Sequence, residues 1–408
     1  MATEKVDALA RQSPGEKGRL LYFMDTHAVG GAEKYVADLL SGMESRGWEV
    51  MLLCHDHPPF IDYIRKQTGG QVLLFTRRFP SITRNRILQA GLSLNRSWKS
   101  RFSFLKSPGM IFFYLNMFRC YWMVRRFLKT AKPDVFHVVS GGYPASESHR
   151  AAVLAASHYG VSRRVLTFHN EAMPVPRGAR RGFRSDTVSV IPNGIAWPSQ
   201  RATDRDSLRR ALGVPARAQL IGTIGFLEPR KGHIFLLRAF SKIAAKFPTA
   251  HLVIIGSGPS SAELSDALRS LGLDGRVSLP GYVPEAAQFL PALDLFAFPS
   301  VDNECLPYVI LNAMESALPI VATRVGGVSE QICDGVCGRL VSPRSDGELA
   351  EALGWMLENP KEAARMGQTA RQHVEANFSL ERMLQDTERT YRDGNSGSPI
   401  GRSSSRRK

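Results

Sequence analysis

The 408-residue chain is poor in cysteine: five residues, Cys54, Cys120, Cys305, Cys333 and Cys337, odd in number and without a CxxC pair. That spacing offers neither a paired-cysteine zinc cluster nor a disulfide framework, so a reducing, cytoplasmic setting is expected. No apolar run reaches membrane-spanning length. The longest apolar stretch, Pro108 to Leu128 (PGMIFFYLNMFRCYWMVRRFL), is broken by Asn116, Arg119, Arg125 and Arg126, and a spanning helix needs about 20 apolar residues. The opening residues MATEKVDALARQSPGEKG mix acids with bases and lack the apolar centre of a signal peptide; residues 1–18 are expected to be a disordered lead-in. Acid is absent from Gln71 to Lys132, a stretch with thirteen Lys or Arg in a chain of net charge +16. That stretch admits two readings: a basic amphipathic surface lying on anionic lipid, or a buried helix with solvated charges at its ends. No helix-turn-helix, RNP or zinc signature accompanies the charge, so nucleic acid is not an expected partner.

What is present is ordinary globular composition, 43% hydrophobic and 22% charged, in a chain long enough for two cores. Short β-rich runs alternate with longer helical ones, the sequence form of a parallel α/β sheet. The first series has strands at 19–24, 49–54, 71–75, 134–139 and 163–169, with helices near 31–46 and 146–157. The second, from about Ser189, has strands at 219–224, 251–255, 276–279, 294–298 and 319–322, separated by helices near 234–246, 260–271, 283–290 and 308–316. The closing NSGSPIGRSSSRRK is Gly/Ser-rich and basic, a flexible tail at 394–408.

In open parallel sheets ligands sit beyond the C-terminal strand ends, where helix N-termini present N–H groups and a positive dipole. Three loops qualify. Gly30-Gly31 follows the first strand and precedes a helix; Arg230-Lys231 follows the strand at 219–224, and two cations beside a helix start suit a diphosphate. Glu304, between the strand at 294–298 and the next helix, can accept hydrogen bonds from sugar hydroxyls, while the amides around Leu306, Pro307 and Tyr308 face a phosphate. Asp204-Arg-Asp206 has the spacing of a metal-binding DxD motif but falls at a helix start and is read as a chance match.

The motifs GGAEKY, VIPNGI, KGH, GSGP, GYVPEAAQFLPALDLFAFPS, ECLPYVILNAMESALPIVAT and GGVSEQICDG together resemble glycosyltransferase family 4, retaining enzymes of GT-B architecture. The resemblance implies two doubly wound Rossmann-like domains facing a cleft: an acceptor-side domain at 19–192, a nucleotide-sugar-binding domain at 193–377, and a C-terminal helix at 378–393 that crosses back. It implies a nucleoside-diphosphate sugar as donor, with Lys231 on the diphosphate, Glu304 on the transferred sugar, Asn312 at the ribose, and Gly30 and Gly31 approaching the donor from the opposite wall. Glu304 and Lys231 are the expected catalytic pair. Fixed cations and helix dipoles would carry the leaving-group charge without metal or cofactor. The acceptor would be a lipid-linked or polysaccharide glycan, handled by a protein peripheral to the cytoplasmic face of the membrane.

The chain departs from the family pattern in several places. Phe226 stands where an Arg is usual, and Asn312 replaces the second Glu of Glu-x7-Glu. Between His169-Asn170 and Asn193-Gly194 the connection is too short for another βαβ unit, so the first domain is expected to be incomplete. A His two positions after His137 is replaced by Val139, leaving His137, Tyr143 and His169 as acceptor-side candidates. These departures also fit an alternative, a catalytically weakened sugar-nucleotide-binding protein of the same fold.

Overall fold

The structure, a computed structural model, describes residues 16–26, 30–80, 108–141, 146–169, 189–197, 204–215, 217–302 and 304–393. The chain forms two units: one of residues 1–191 with 384–408, the other of residues 192–383.

The first unit is built on five parallel strands, β1 (Arg19–Met24), β2 (Glu49–His55), β3 (Leu73–Arg77), β4 (Val135–Ser140) and β5 (Arg163–Phe168), in the order β3-β2-β1-β4-β5. Runs such as RLLYFM are buried along their whole length, as expected where helices cover both faces of a parallel sheet. The helices are α1 (Gly31–Glu44), α2 (Pro58–Gln67), α3 (Pro108–Ala131) and α4 (Glu147–Tyr159). On one face Leu21, Phe23, Met51, Leu53 and Phe136 pack against Val124, Phe127 and Leu128 of α3 and the alanines 151, 152, 155 and 156 of α4. The small alanine side chains let the two helices lie close.

The second unit has six parallel strands in the order β11-β10-β9-β6-β7-β8: β6 (Gln219–Ile224), β7 (Ala250–Ile255), β8 (Val277–Gly281), β9 (Leu295–Phe298), β10 (Ile320–Thr323) and β11 (Arg339–Val341). Around it run α5 (Arg205–Ala211), α6 (His233–Ala244), α7 (Ser261–Ser270), α8 (Tyr308–Glu315), α9 (Val328–Gln331), α10 (Asp346–Glu358) and α11 (Pro360–Asn377). Ile221, Leu252, Ile254, Leu295 and Val321 pack against Leu236, Leu237 and Phe240 of α6 and Leu353 and Met356 of α10. Both sheets reverse winding direction once, at β1/β4 and at β6/β9, which makes each a doubly wound, Rossmann-like unit. Together they are the GT-B fold.

One local reading is corrected, and the DxD-like triplet lies at a helix start as expected. The helix expected near 283–290 is a 3-10 segment at Ala286–Ala292, because Pro291 removes a backbone donor and Glu285 sits at φ +51°. Asp204 of the DxD-like triplet caps α5: its carboxylate accepts from Asp206 N at 3.4 Å and Ser207 N at 2.9 Å. The short 171–191 connection lies largely outside the described residues, as does the 394–408 tail.

The last helix, α12 (Leu380–Asp393), joins the first unit from Leu384 onward. Leu384, Thr387 and Tyr391 are buried, and Gly42 of α1 leaves room for Leu384, whose side chain would collide with any Cβ there. Glu388 accepts from Lys17 Nζ at 2.9 Å and Trp48 Nε1 at 3.1 Å.

Candidate active site

The winding reversal at β6/β9 opens a crevice at the strand ends, and the loops after these two strands carry the polar cluster of the second unit. Beyond β6 a 3-10 turn at Pro229–Lys231 ends in Gly232 at φ +67°. Only glycine adopts that conformation without cost, and a Cβ there would collide with the Pro299 carbonyl. The β9 loop is stitched to this turn: Val301 N donates to Arg230 O at 2.8 Å and Ser300 Oγ at 3.1 Å. Thr323 of β10 holds the Ser300 carbonyl with its hydroxyl.

This frame delivers Glu304, a buried carboxylate, to three donors. Lys231 Nζ and Ser300 Oγ each donate to its Oε1 at 2.6 Å, and Arg230 Nη1 does so at 3.0 Å. Arg230 also donates to Glu228 Oε1 through Nη2 at 2.7 Å. The backbone of Glu304 is pinned from below, where Gly327 N donates to its carbonyl at 3.1 Å. Gly326, at φ +47°, packs so closely that a Cβ would overlap the same oxygen. Arg230 and Lys231, held by Glu304 and Glu228, thus form a pre-assembled cluster around a buried carboxylate, with the Arg230 side chain 33% exposed.

Leu306, Pro307 and Tyr308 continue from Glu304 into α8, with Pro307 preceding its first residue. The Leu306 carbonyl accepts from Asn193 Nδ2 at 2.7 Å and that of Pro307 from Gln331 Nε2 at 3.2 Å. Asn312, half-buried, lies one helical turn beyond the buried Tyr308 on the same face of α8. Phe226, which follows Gly225 at the end of β6, is 56% exposed.

A cavity of about 460 Å³ opens beside this cluster, lined among others by Glu228, Arg230, His233, Glu263, Asp302 and Arg344. Of the expected donor residues Arg230 alone lines it. His233, which the sequence reading did not single out, heads α6 and is buried; burial, with Lys231 nearby, pulls its pKa down to about 4. Its Nδ1 makes no hydrogen bond among the described residues. Ser300 and Glu228 were also missed, although their places at a strand end and beside Arg230 were visible.

The first unit separates the remaining candidates. Gly30 and Gly31 are exposed at the start of α1, where Glu33 folds back to accept from Gly30 N at 2.9 Å. His137 on β4 is fully buried: Nδ1 lies 2.7 Å from Tyr391 Oη and Nε2 2.6 Å from Thr167 Oγ1. Burial, with His169 adding to it, holds its pKa at about 3, so the ring is neutral and both nitrogens are engaged. Tyr22 Oη extends the network, 3.0 Å from Tyr391 Oη. His169, at the end of β5, stands edge-on to Tyr35 with centroids 4.5 Å apart, its pKa lowered to about 4 by burial. Its Nε2 makes no hydrogen bond among the described residues. Tyr143 lies outside the described residues. Among the described residues no three His, Cys, Asp or Glu come together as a metal site.

Comparison with known proteins follows the same division. Residues 204–373 match the family described as glycosyl transferases group 1, and residues 30–222 the glycosyl transferase 4-like domain. The D-inositol 3-phosphate glycosyltransferase of Corynebacterium urealyticum is 32% identical over 203 residues, 48% of this chain and 47% of that protein. The protein of the same name from Corynebacterium efficiens is 34% identical over 207 residues, 48% of each. The chain thus spans about half the length of these relatives. Among solved structures, Anabaena HepE in complex with UDP and glucose superposes with a TM-score of 0.68 at 19% identity, covering 91% of this chain and 99% of that one. A glycosyltransferase from Rickettsia africae reaches 0.73 at 17% identity, covering 93% and 98%. At such identities the likeness is one of fold.

Proposed function

The chain belongs to glycosyltransferase family 4, and from that premise we propose that it transfers a sugar from a nucleoside-diphosphate sugar to a lipid-linked or polysaccharide acceptor, with retention at the anomeric carbon. The Lys231–Glu304–Arg230 cluster at the β6/β9 reversal carries this reading. Before the donor arrives, Glu304 and Glu228 together balance the two cations, and Glu304 keeps both in place. A diphosphate entering at the strand ends draws Lys231 and Arg230 to its oxygens, and the released carboxylate accepts from the hydroxyls of the transferred sugar.

As the glycosidic bond breaks, negative charge grows on the departing nucleoside diphosphate. Positive groups already held in place stabilise that charge with little reorganisation, the condition under which such groups contribute most to rate. In this reading Lys231 and Arg230 supply the positive charge for this step. Leu306, Pro307, Tyr308 and Asn312 complete the donor side, Asn312 at the ribose. Gly30, Gly31, His169 and Tyr143 remain candidates in the first unit, and the enzyme works at the cytoplasmic face of a membrane. HepE, a protein of this fold seen with UDP and glucose, supports the donor class.

The test is release of nucleoside diphosphate from a panel of UDP-, GDP- and ADP-sugars, with and without membrane extract and with chelator present. One donor should give release that chelator leaves unchanged, and NMR of the product should show the donor's anomeric configuration. Folded protein that binds a donor but releases nothing with any acceptor fraction overturns the enzymatic reading. It would favour the second one, a sugar-nucleotide-binding protein, which Phe226 and Asn312 support by lowering the charge available at the donor site.

A further inference from the structure

Helix α3 has two apolar faces, and the fold uses one. Cys120, Val124, Phe127, Leu128 and Ala131 are buried against the first sheet and α4, and Tyr121 Oη meets His158 Nδ1 of α4 at 3.0 Å. On the other side Tyr114, Leu115, Phe118 and Trp122 are 53%, 48%, 58% and 47% exposed. Their spacing of three to four residues puts them on one stripe. Large apolar side chains exposed singly are commonplace, but four within nine residues of one helix form a patch that needs a partner.

The chemistry of the patch says which partner. Phe118 and Trp122 stand edge to face, centroids 6.0 Å apart, and the Arg125 guanidinium lies 5.3 Å from the Trp122 ring. Arg119, Arg126 and Lys129 are exposed along the same helix, and there is no acid from residue 71 to 132. Aromatic bodies flanked by long cationic side chains suit the headgroup region of a bilayer, where rings enter the acyl boundary and cations meet anionic phosphates. The helix is not long and apolar enough to cross a membrane, so it would lie in the interface plane. A second protein copy would bring the same positive charge against itself.

We propose that the exposed face of α3, with Phe118 and Trp122 as its wedge and Arg119, Arg126 and Lys129 as its cations, docks the protein on an anionic phospholipid surface. This deepens the reading of a membrane-facing acceptor and rests on it for its purpose, while its test does not depend on turnover: vesicle binding without sugar transfer, or the reverse, separates the two.

The experiment is co-sedimentation of the full chain with vesicles of phosphatidylcholine alone and of phosphatidylcholine mixed with phosphatidylglycerol, at low and high salt. Binding is expected on the mixed vesicles only and weakened by salt. The double variant Phe118→Ser/Trp122→Ser should lose about 100-fold in partitioning, from the apolar area withdrawn. Arg119→Gln/Arg126→Gln should lose roughly 30-fold, and only on the anionic vesicles. Unchanged thermal midpoints would show that both variants stay folded, since all four side chains are exposed. The proposal is overturned by absence of binding at low salt, by binding that both variants retain, as the basic 394–408 tail would give, or by a dimer in sedimentation that only the aromatic variant dissociates.

Discussion

Lys231 Nζ donates to Glu304 Oε1 at 2.6 Å across 73 positions of sequence, and the two side chains come from the loops of strands that adjoin in the sheet. With Lys231 on the diphosphate and Glu304 on the transferred sugar, as proposed above, donor binding and sugar positioning become separable by mutation. Lys231→Met would remove the proposed charge-assisted contact to the diphosphate and should weaken donor affinity by roughly 10- to 150-fold, measured by calorimetric titration. Glu304→Gln keeps the shape and leaves both cations for the phosphates, so donor affinity should move less than about tenfold while kcat falls by roughly 100- to 1000-fold, the scale set by loss of one fixed electrostatic group. Equal losses of affinity in both variants would contradict this division.

Gly326 supports the Glu304 backbone from outside the cluster. Gly326→Ala forces a Cβ against the Glu304 carbonyl and strains a residue at φ +47°, at a cost of about 1–3 kcal/mol. The thermal midpoint of the second unit should drop, and donor affinity should fall although no ligand-facing atom is removed. Gly335→Ala, strained at φ +76° but meeting no atom within 4 Å, is the control: it should cost stability and spare affinity.

Part of this architecture is legible in the sequence. RLLYFM and QLIGTI are apolar runs bounded by polar turns, and they form β1 and β6 at the expected limits. The GT-B fold follows from their alternation with helices and from the family motifs. Less legible are elements that depend on tertiary support: α2, which opens on two prolines, and β11, three residues that pair with β10. The candidate cluster was legible in kind, two cations and a carboxylate in loops after strands, but not in its contacts. Ser300 reaches Glu304 within one loop, four residues away, whereas the contacts of Lys231 and Arg230 with Glu304 depend on sheet order, which no spacing rule shows. His137 illustrates the opposite case, a histidine at a plausible strand position whose partner, Tyr391, lies 254 residues away.

That His137–Tyr391 contact gives a pH signature. The folded ring takes its proton only near pH 3, against an ordinary value of 6.5, so between those values the unfolded chain binds the extra proton and stability falls as pH falls. Each such group contributes about 1.4 kcal/mol per pH unit, and His169 and His233, both near 4, act in the same direction down to that pH. Urea midpoints should therefore decline steadily from pH 6.5 to 4. His137→Gln, less stable at pH 7 because it disturbs a buried network, should show a shallower decline. A parallel decline in wild type and variant would mean that His137 titrates normally in the folded protein.

Two of the departures from the family pattern, Phe226 and Asn312, can be turned into a test of catalytic competence. Phe226 is more than half exposed, so Phe226→Arg adds a cation at the end of β6 without disturbing the core, and Asn312→Glu restores an anionic acceptor on α8. If the present cluster already serves the diphosphate through Arg230, the double variant should bind nucleoside diphosphate about tenfold more tightly or better while kcat changes little, because uniform binding of substrate and transition state does not speed the chemical step. If wild type turns over no donor and the variant does, the cluster lacks a transition-state contact that the missing Arg normally makes. If the variant binds more tightly and still releases nothing, the limit lies outside the donor residues, and the chain acts as a sugar-nucleotide-binding protein.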